Sequence, residues 1–257
     1  MKINVSDFIV FLLVFLRISS TFVVAPFSGS RGIPATPKLF LALVVSYIIY
    51  LMIDRNSIPQ IQANWTLFVF AIKEILVGLI IGFMLQFVFF AVSYAGTLIG
   101  FDMMLNMAEV LNPNEDIQSN IIGEFLYYGT LMIFLIINGH HYLIQSLNYS
   151  FKVIKIGSFI ITEPLHIYLS KLVGSVFVLA VKIASPILVS FFLIHIAEGI
   201  ISRMIPQMQV FFVTQPLKLG LGIFLLLITV PLYIFMIKNL LNEYEKKLYS
   251  LINFMGA

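Results

Sequence analysis

The chain has 257 residues, of which 60% are hydrophobic and 11% charged, and its mean hydropathy is +1.03. Soluble domains carry about 25% charged residues, so this composition excludes an ordinary soluble protein and indicates an integral membrane protein. The net charge of +3 is too small and too dispersed for nucleic-acid binding, and the lack of cysteine excludes disulfides, thiolate metal sites and cysteine nucleophiles.

Six apolar segments follow one another, and most are near the 20 residues that a helix needs to cross a hydrocarbon core of about 30 Å. We therefore predict a single all-α membrane domain over residues 1–257, beginning with an uncleaved first helix. The segments lie at about residues 8–26, 39–53, 65–99, 121–138, 172–197 and 217–240.

The second and third segments depart from the length of a membrane span. The second is short, whereas the third, at about 65–99, contains no proline. A continuous helix of that length would extend roughly 50 Å, which tilt alone explains poorly. Either the helix breaks near Ser93–Gly96, or it packs against protein instead of lipid.

The stretch after the third segment mixes soft apolar side chains with acids and turn-forming residues, from Gly100 to Asp116. Such backbone is tolerated at membrane depth only where protein buries it or where it lines a water-filled cavity. Methionine is unbranched and polarizable, so Met103, Met104 and Met107 can seal against varied surfaces. Residues 100–120 are therefore predicted to form an internal gate, although an amphipathic loop on the membrane surface also fits the composition.

Two pairs of glycines four residues apart lie on or at the end of the third segment, namely Gly78 with Gly82 and Gly96 with Gly100. Small residues at this spacing let a neighbouring helix approach closely. The neighbour belongs either to another subunit or to the same chain, and the sequence leaves both alternatives open.

Several ionisable residues lie within or near the apolar segments. Such groups normally face a bundle interior and find partners there. Because nothing gives these acids and bases a common face, we favour structural pairing or subunit contacts over a proton relay. The residues are Arg17, Lys73, Glu74, Lys182, His195 and Glu198.

The pair His140-His141 raises the alternative of a metal site. Neighbouring helical positions point about 100° apart, and no acid or further histidine lies at i+3 or i+4. We expect instead a polar cap where Asn138-Gly139 ends the fourth segment.

Short motifs span nearly the whole chain. In order they are Arg17; Pro26-Phe27; Arg31, Pro34 and Lys38; Glu74, Gly78 and Gly82; Gly96 and Gly100; Asn138-Gly139-His140; Ser150-Phe151 and Ile156-Gly157; Arg203, Pro206 and Gln207; and Pro216-Leu217-Lys218. In this order and spacing they resemble the FliR family of the bacterial flagellar export gate, known as SctT in virulence-associated injectisomes.

The resemblance implies packing with FliP and FliQ subunits in a helical assembly of the inner membrane and flagellar basal body, with FlhB and FlhA nearby. It implies that the stretch after Gly100 plugs a channel for unfolded flagellar proteins, with no catalytic activity, cofactor or metal. The candidate plug residues are Met103, Met104, Met107 and Val110. The candidate packing residues are Glu74, Gly78, Gly82, Gly96 and Gly100. The polar motif positions are Arg17, Arg31, Lys38, Asn138, His140, Arg203 and Gln207.

Other classes of protein fit less well. An injectisome subunit of the same family stays an alternative. An independent small-molecule permease would show paired broken helices in corresponding halves, and a membrane-embedded enzyme would show a motif such as H-E-x-x-H. The sequence has neither feature.

Overall fold

The computed structural model describes residues 5–26, 34–53, 64–105, 121–207 and 210–256. All regular secondary structure in these ranges is helical, which confirms the all-α fold class. The helices are α1 (Val5–Val24), α2 (Ala35–Met52), α3 (Asn64–Asp102), α4 (Ile121–Ile136), α5 (Gly139–Val153), α6 (Glu163–Met204) and α7 (Val210–Gly256).

Four helices in the described part are long and apolar enough to cross a membrane, with candidate spans Asp7–Val24, Trp65–Asp102, Glu163–Met204 and Val213–Gly256. The bent pair α4 and α5 adds a fifth if it is counted as one span, and α2 is a shorter apolar helix. The chain is therefore a multi-pass membrane protein, and α2 has the short length that the sequence indicated.

Helices α6 and α7 are much longer than the apolar segments predicted within them. They contain 42 and 47 residues, compared with the predicted ranges 172–197 and 217–240. Hydropathy marks the part of a helix that matches the bilayer, whereas both helices continue through polar ends such as Glu163 and Lys246. The apolar pattern therefore located these helices but underestimated their length.

Pro186 lies inside α6 and leaves the Lys182 carbonyl without its usual helical donor. The Ser185 hydroxyl donates to that carbonyl at 2.8 Å. Membrane helices tolerate proline where a nearby hydroxyl satisfies the freed backbone group in this way. The local sequence Ser185-Pro186 thus explains why α6 continues through a helix-breaking residue.

Helix α3 is assigned as helix without interruption from Asn64 to Asp102, including Ser93–Gly96. Its 39 residues extend about 58 Å, nearly twice the hydrocarbon core. In its most apolar window 56% of the residues are buried, compared with 28% in α6 and 22% in α7. Of the two alternatives for this segment, packing against protein is the one that the structure supports.

The chain divides into two compact units. The first contains Met1–Val88, Phe134–Val173 and Leu241–Ala257, and the second contains Phe89–Ile133 and Gly174–Leu240. Since lipid is as apolar as a leucine side chain, close packing and polar pairs, rather than burial from water, hold helices together inside a bilayer. Each unit shows both kinds of contact.

In the first unit, α1 packs against α2 and against the N-terminal half of α3. The C-terminal end of α7 joins this unit through Tyr149 of α5, whose hydroxyl donates to Asn253 Oδ1 at 2.8 Å. The Tyr149 ring also lies edge-on to Tyr249 at 5.4 Å between centroids. These contacts tie the C-terminal turns of the chain to α5.

In the second unit, the C-terminal half of α3 lies directly on α4. A Cβ built on Gly96 would stand 2.5 Å from the Gly123 amide nitrogen, so the two backbones meet where both residues lack side chains. Phe89 and Tyr127 pack edge-to-face near this crossing, with ring centroids 5.3 Å apart. Small residues at the crossing therefore permit the close approach.

Candidate functional site

Helix α3 ends at the start of the predicted plug, in a Schellman motif. The Leu105 amide donates to the Gly100 carbonyl at 3.0 Å, and the Met104 amide donates to the Phe101 carbonyl at 3.0 Å. Met104 has a φ of 60°, in the left-handed region that such motifs require and that usually holds glycine. The predicted plug therefore begins at a defined helix terminus that contains a strained residue.

Met103, predicted as a sealing residue, is only 1% exposed. The Met103 side chain fills the space beside Gly222 of α7. A Cβ added to Gly222 would lie 2.6 Å from the Met103 Cγ and Cε and 2.7 Å from the Met103 Sδ. Met104 is half-buried. The predicted plug residues Met107 and Val110 lie outside the described residues. Within the described part, Met103 thus packs against its own chain.

An open cavity of about 370 Å³ lies at the same end of α3. It is lined by Asp102 and by Leu188, Val189, Phe192 and His195 of α6. A carboxylate and an imidazole therefore share a cavity whose remaining lining is apolar. The sequence singled out both Asp102, as part of the gate stretch, and His195, as an intramembrane ionisable group, but did not bring them together.

Glu198, one turn beyond His195 on α6, is paired with Lys218 of α7. The Lys218 side chain is 1% exposed, and its ammonium donates to Glu198 Oε2 at 2.7 Å. A buried ammonium is stable only with such a partner. Lys218 belongs to the Pro216-Leu217-Lys218 motif, so this motif supplies a cation that links α7 to α6.

Arg17 and Glu74 form the most deeply buried ion pair among the described residues. Both side chains are fully buried, and Arg17 Nε donates to Glu74 Oε2 at 2.6 Å. Arg17 Nη1 donates to Ser150 Oγ and Nη2 to the Ile154 carbonyl, each at 3.2 Å. The guanidinium also stands 4.0 Å from the centroid of the Phe151 ring. One side chain of α1 therefore fastens both α3 and the end of α5.

The second oxygen of Glu74 holds the turn that follows α5. The Gly157 amide donates to Glu74 Oε1 at 2.9 Å, and Lys73 Nζ donates to the Gly157 carbonyl at 3.1 Å. Gly157 has a φ of +76°, and a Cβ there would come within 2.7 Å of the Phe70 ring. Adjacent residues on a helix do not face each other, and Lys73 and Glu74 each bind the backbone of Gly157 instead of pairing with one another.

Gly78 and Gly82 lie where α3 crosses α1. A Cβ on Gly78 would collide with the Ser20 hydroxyl and the Arg17 carbonyl oxygen, and one on Gly82 would stand 2.8 Å from the Thr21 carbonyl oxygen. The Thr21 hydroxyl donates across the crossing to the Gly78 carbonyl at 3.0 Å. Of the two neighbours left open by the sequence, this glycine pair therefore meets a helix of its own chain.

The other polar motif positions are scattered. Asn138 has a φ of 60° at the turn between α4 and α5, where the sequence expected the fourth segment to end. The rings of His140 and His141 are tilted by 37° to each other, with their centroids 4.2 Å apart. Lys38 lies in the first turn of α2, and Arg203 and Gln207 are exposed where α6 ends. Arg31 lies outside the described residues.

The partners that complete these sites cannot be read from the sequence. Ser150-Phe151 and Ile156-Gly157 are visible there only as motifs, with nothing that connects them to Arg17 or Glu74. For Gly222 the one local signal is a second glycine two residues earlier in an apolar helix, Gly220-Leu221-Gly222, which marks exposed backbone. These contacts join residues far apart in sequence, so only the fold could bring them together.

The polar contacts described above pack helices against one another. Within the described ranges, no three His, Asp or Glu side chains converge in a way that would hold a metal ion. The acids Glu74 and Glu198 are each occupied by a cation. The strongest polar features therefore lock helices together rather than present reactive groups to a substrate.

Comparison with known proteins extends over nearly the whole chain. Residues 8–244 match the family model described as bacterial export proteins, family 1. The chain is 33% identical to flagellar biosynthetic protein FliR of Aquifex aeolicus (strain VF5) over 95% of both chains, and 32% identical to that of Bacillus subtilis (strain 168) over 96% of both. It is 29% identical to that of Escherichia coli (strain K12), over 93% of this chain and 90% of the relative.

Proposed function

This chain belongs to the bacterial export proteins, family 1, and from that premise we propose that it is a membrane subunit of the flagellar type III export apparatus that plugs the export channel. The near full-length similarity to flagellar biosynthetic proteins carries the flagellar part of this proposal. It also favours the flagellum over an injectisome, because the relatives compared above all carry a flagellar name. The site of action is the bacterial cell membrane, as the four candidate spans require.

The position of the α3 terminus supports the plug. The membrane-spanning helix ends at Asp102 in a hydrogen-bonded motif, and the Met-bearing segment starts there. Acids in the segment that follows, such as Glu109 and Asp116, need water or basic partners, which a channel supplies and lipid does not. We assign the seal to the side chains that follow this terminus, with no catalytic step.

The partners proposed for the chain are FliP and FliQ subunits in one hetero-oligomer, with FlhB and FlhA nearby. The length and exposure of α6 support protein partners. Large apolar side chains are exposed along most of this 42-residue helix, among them Val173, Phe192 and Met204, which are 48%, 62% and 76% exposed. A hydrocarbon core of about 30 Å covers only about 20 residues of a helix, so we assign part of this apolar surface to protein neighbours.

A deletion experiment tests the proposed function. In the flagellated bacterium that carries this gene, deleting it should abolish secretion of flagellar subunits into the medium, and a plasmid copy should restore secretion. Immunoblots of culture medium and cells measure both. Undiminished secretion in the deletion strain would remove the protein from flagellar export.

The plug is tested separately by a short deletion of residues 106–110, which leaves the α3 terminus intact. The shortened segment should no longer close the channel, so membranes containing the assembled complex should leak ions several-fold faster than with the wild type. Ion flux into vesicles measures the leak, and blots for the complex confirm that it assembles. An assembled complex with the wild-type leak would contradict the plug while leaving the flagellar assignment intact.

A further inference from the structure

Met103 and Gly222 fit together as a knob in a notch. Three side-chain atoms of Met103 lie 2.6–2.7 Å from the position that a Gly222 Cβ would occupy, so any larger residue at 222 would displace the methionine. Gly220, two residues earlier in α7, faces open space, with nothing within 4 Å of its Cβ position. Of these two glycines of α7, only Gly222 therefore provides the space that the Met103 side chain fills.

The backbone that carries Met103, at the end of α3, is fixed as well. Met103 itself donates to the Ile99 carbonyl at 3.0 Å, and the two Schellman hydrogen bonds follow at Met104 and Leu105. Met104 holds a left-handed conformation that bulky residues rarely adopt, with a φ of 60°. Such a conformation persists only where the surrounding structure determines it.

Helix α7, which contains Gly222, is also held in place. One turn before Gly222, the buried Lys218 is paired with Glu198 of α6 at 2.7 Å. Met103 thus lies between the hydrogen-bonded end of α3 and helix α7, and α7 is in turn paired with α6. An arrangement of this kind suits a fixed point better than a moving seal.

We propose that the Met103–Gly222 contact is the anchor of the plug. Met103 is a positioning residue that stays in its notch when the channel opens, and the residues that follow it form the seal. This proposal rests on the proposed function of the segment as a plug. It changes the role of Met103 from a sealing residue to the residue that fixes where the plug begins.

A disulfide tests the anchor directly, because the chain contains no cysteine of its own. The Met103 Cγ lies 2.6 Å from the Gly222 Cβ position, and the Met103 Cβ is one bond of about 1.5 Å further along the side chain, so the two Cβ positions are at most about 4.1 Å apart, below the upper limit of about 4.5 Å for a disulfide. Met103→Cys with Gly222→Cys should cross-link on oxidation in native membranes. The control pair Met103→Cys with Gly220→Cys should cross-link far less. Equal cross-linking of both pairs, or none in the first, would contradict the contact.

The cross-linked protein then reports whether Met103 moves during export. If it is an anchor, cells with the oxidised pair should secrete flagellar subunits as fast as after reduction with dithiothreitol. Secretion that stops on oxidation and returns on reduction would show that Met103 leaves its notch with the plug, and would overturn the proposal.

Two bulky substitutions test the proposed anchor independently of the proposed plug. Gly222→Leu should expel Met103 and raise the ion leak of the assembled complex several-fold, whereas Gly220→Leu should leave it unchanged. Adding Met103→Ala to Gly222→Leu should make room for the leucine and reduce the leak. If deletion of residues 106–110 opens the channel but Gly222→Leu does not, the anchor is wrong and the plug stands. If neither change opens it, the plug itself is wrong.

Discussion

At the scale of single residues, the buried ion pair between Arg17 and Glu74 is costly to disturb. Its charges are removed from both water and lipid headgroups, and every guanidinium nitrogen has a separate partner. Removing one member of such a pair leaves an uncompensated buried charge, which costs about 3–5 kcal/mol. A pair between exposed residues contributes about 0–1 kcal/mol.

We expect Glu74→Ala to destabilise the protein by roughly 3–5 kcal/mol, because Arg17 would lose its countercharge and Gly157 the acceptor for its amide. Thermal unfolding of the protein in mild detergent, in its complex, measures the loss. The matched control is Glu243→Ala, which breaks the largely exposed pair with Lys247 at 2.8 Å. Equal shifts in melting temperature for the two variants would contradict the structural role of the buried pair.

At the scale of helices, the crossing of α1 and α3 depends on glycines whose missing side chains let backbone meet backbone. At Gly78 the opposing atoms include the Arg17 carbonyl oxygen, which cannot rotate away as a flexible side chain would. Any Cβ at this position must therefore push the helices apart. The same shift would lengthen the Arg17–Glu74 contact, because both residues lie on these two helices.

Gly78→Ala should therefore destabilise the protein by about 1–3 kcal/mol through overpacking, despite the better helix propensity of alanine. Gly129→Ala in α4 is the control, since a Cβ there meets nothing within 4 Å. That change should be neutral or stabilising by up to about 1 kcal/mol. The melting temperatures of the two variants in detergent test the difference, and a stable Gly78→Ala variant would remove the crossing from the stabilising contacts.

At the scale of the whole molecule, the described surface exposes many large apolar side chains. On α6 and α7 these include Phe192, Phe224 and Leu227, which are 62%, 57% and 67% exposed. Contiguous apolar surface on a membrane protein faces lipid or other subunits, and the helices that carry it are longer than a bilayer is thick. The isolated chain therefore leaves apolar surface that lipid alone does not cover.

We expect the chain expressed alone to aggregate or to be recovered poorly from membranes in mild detergent. Coexpression with the FliP and FliQ subunits of the same bacterium should raise the yield of monodisperse protein several-fold, because those subunits would cover the apolar faces. Size-exclusion chromatography with a tag on this chain alone measures the effect. A monodisperse, stable monomer without partners would instead favour an independent permease.

The sequence by itself determined the fold class, the membrane location and the approximate place of every long helix. These properties follow from local hydropathy and from the length that a bilayer imposes, and both can be read along the chain. It left open whether α3 breaks near Ser93–Gly96 or packs against protein, and whether Gly78 and Gly82 meet a helix of the same chain or of another subunit. The gate stretch was located by its composition, and its role as a plug stays a prediction.

Only the tertiary structure decided which residues meet. The partners of Arg17, Glu74 and Glu198 lie 20 or more positions away, and the notch for Met103 lies on a helix more than a hundred residues later. Periodicity carries no information about contacts at such separations, because each depends on how whole helices cross. The charged residues and the methionines can be read from the sequence, whereas the pairing of the charges and the packing of Met103 beside Gly222 depend on how the helices cross.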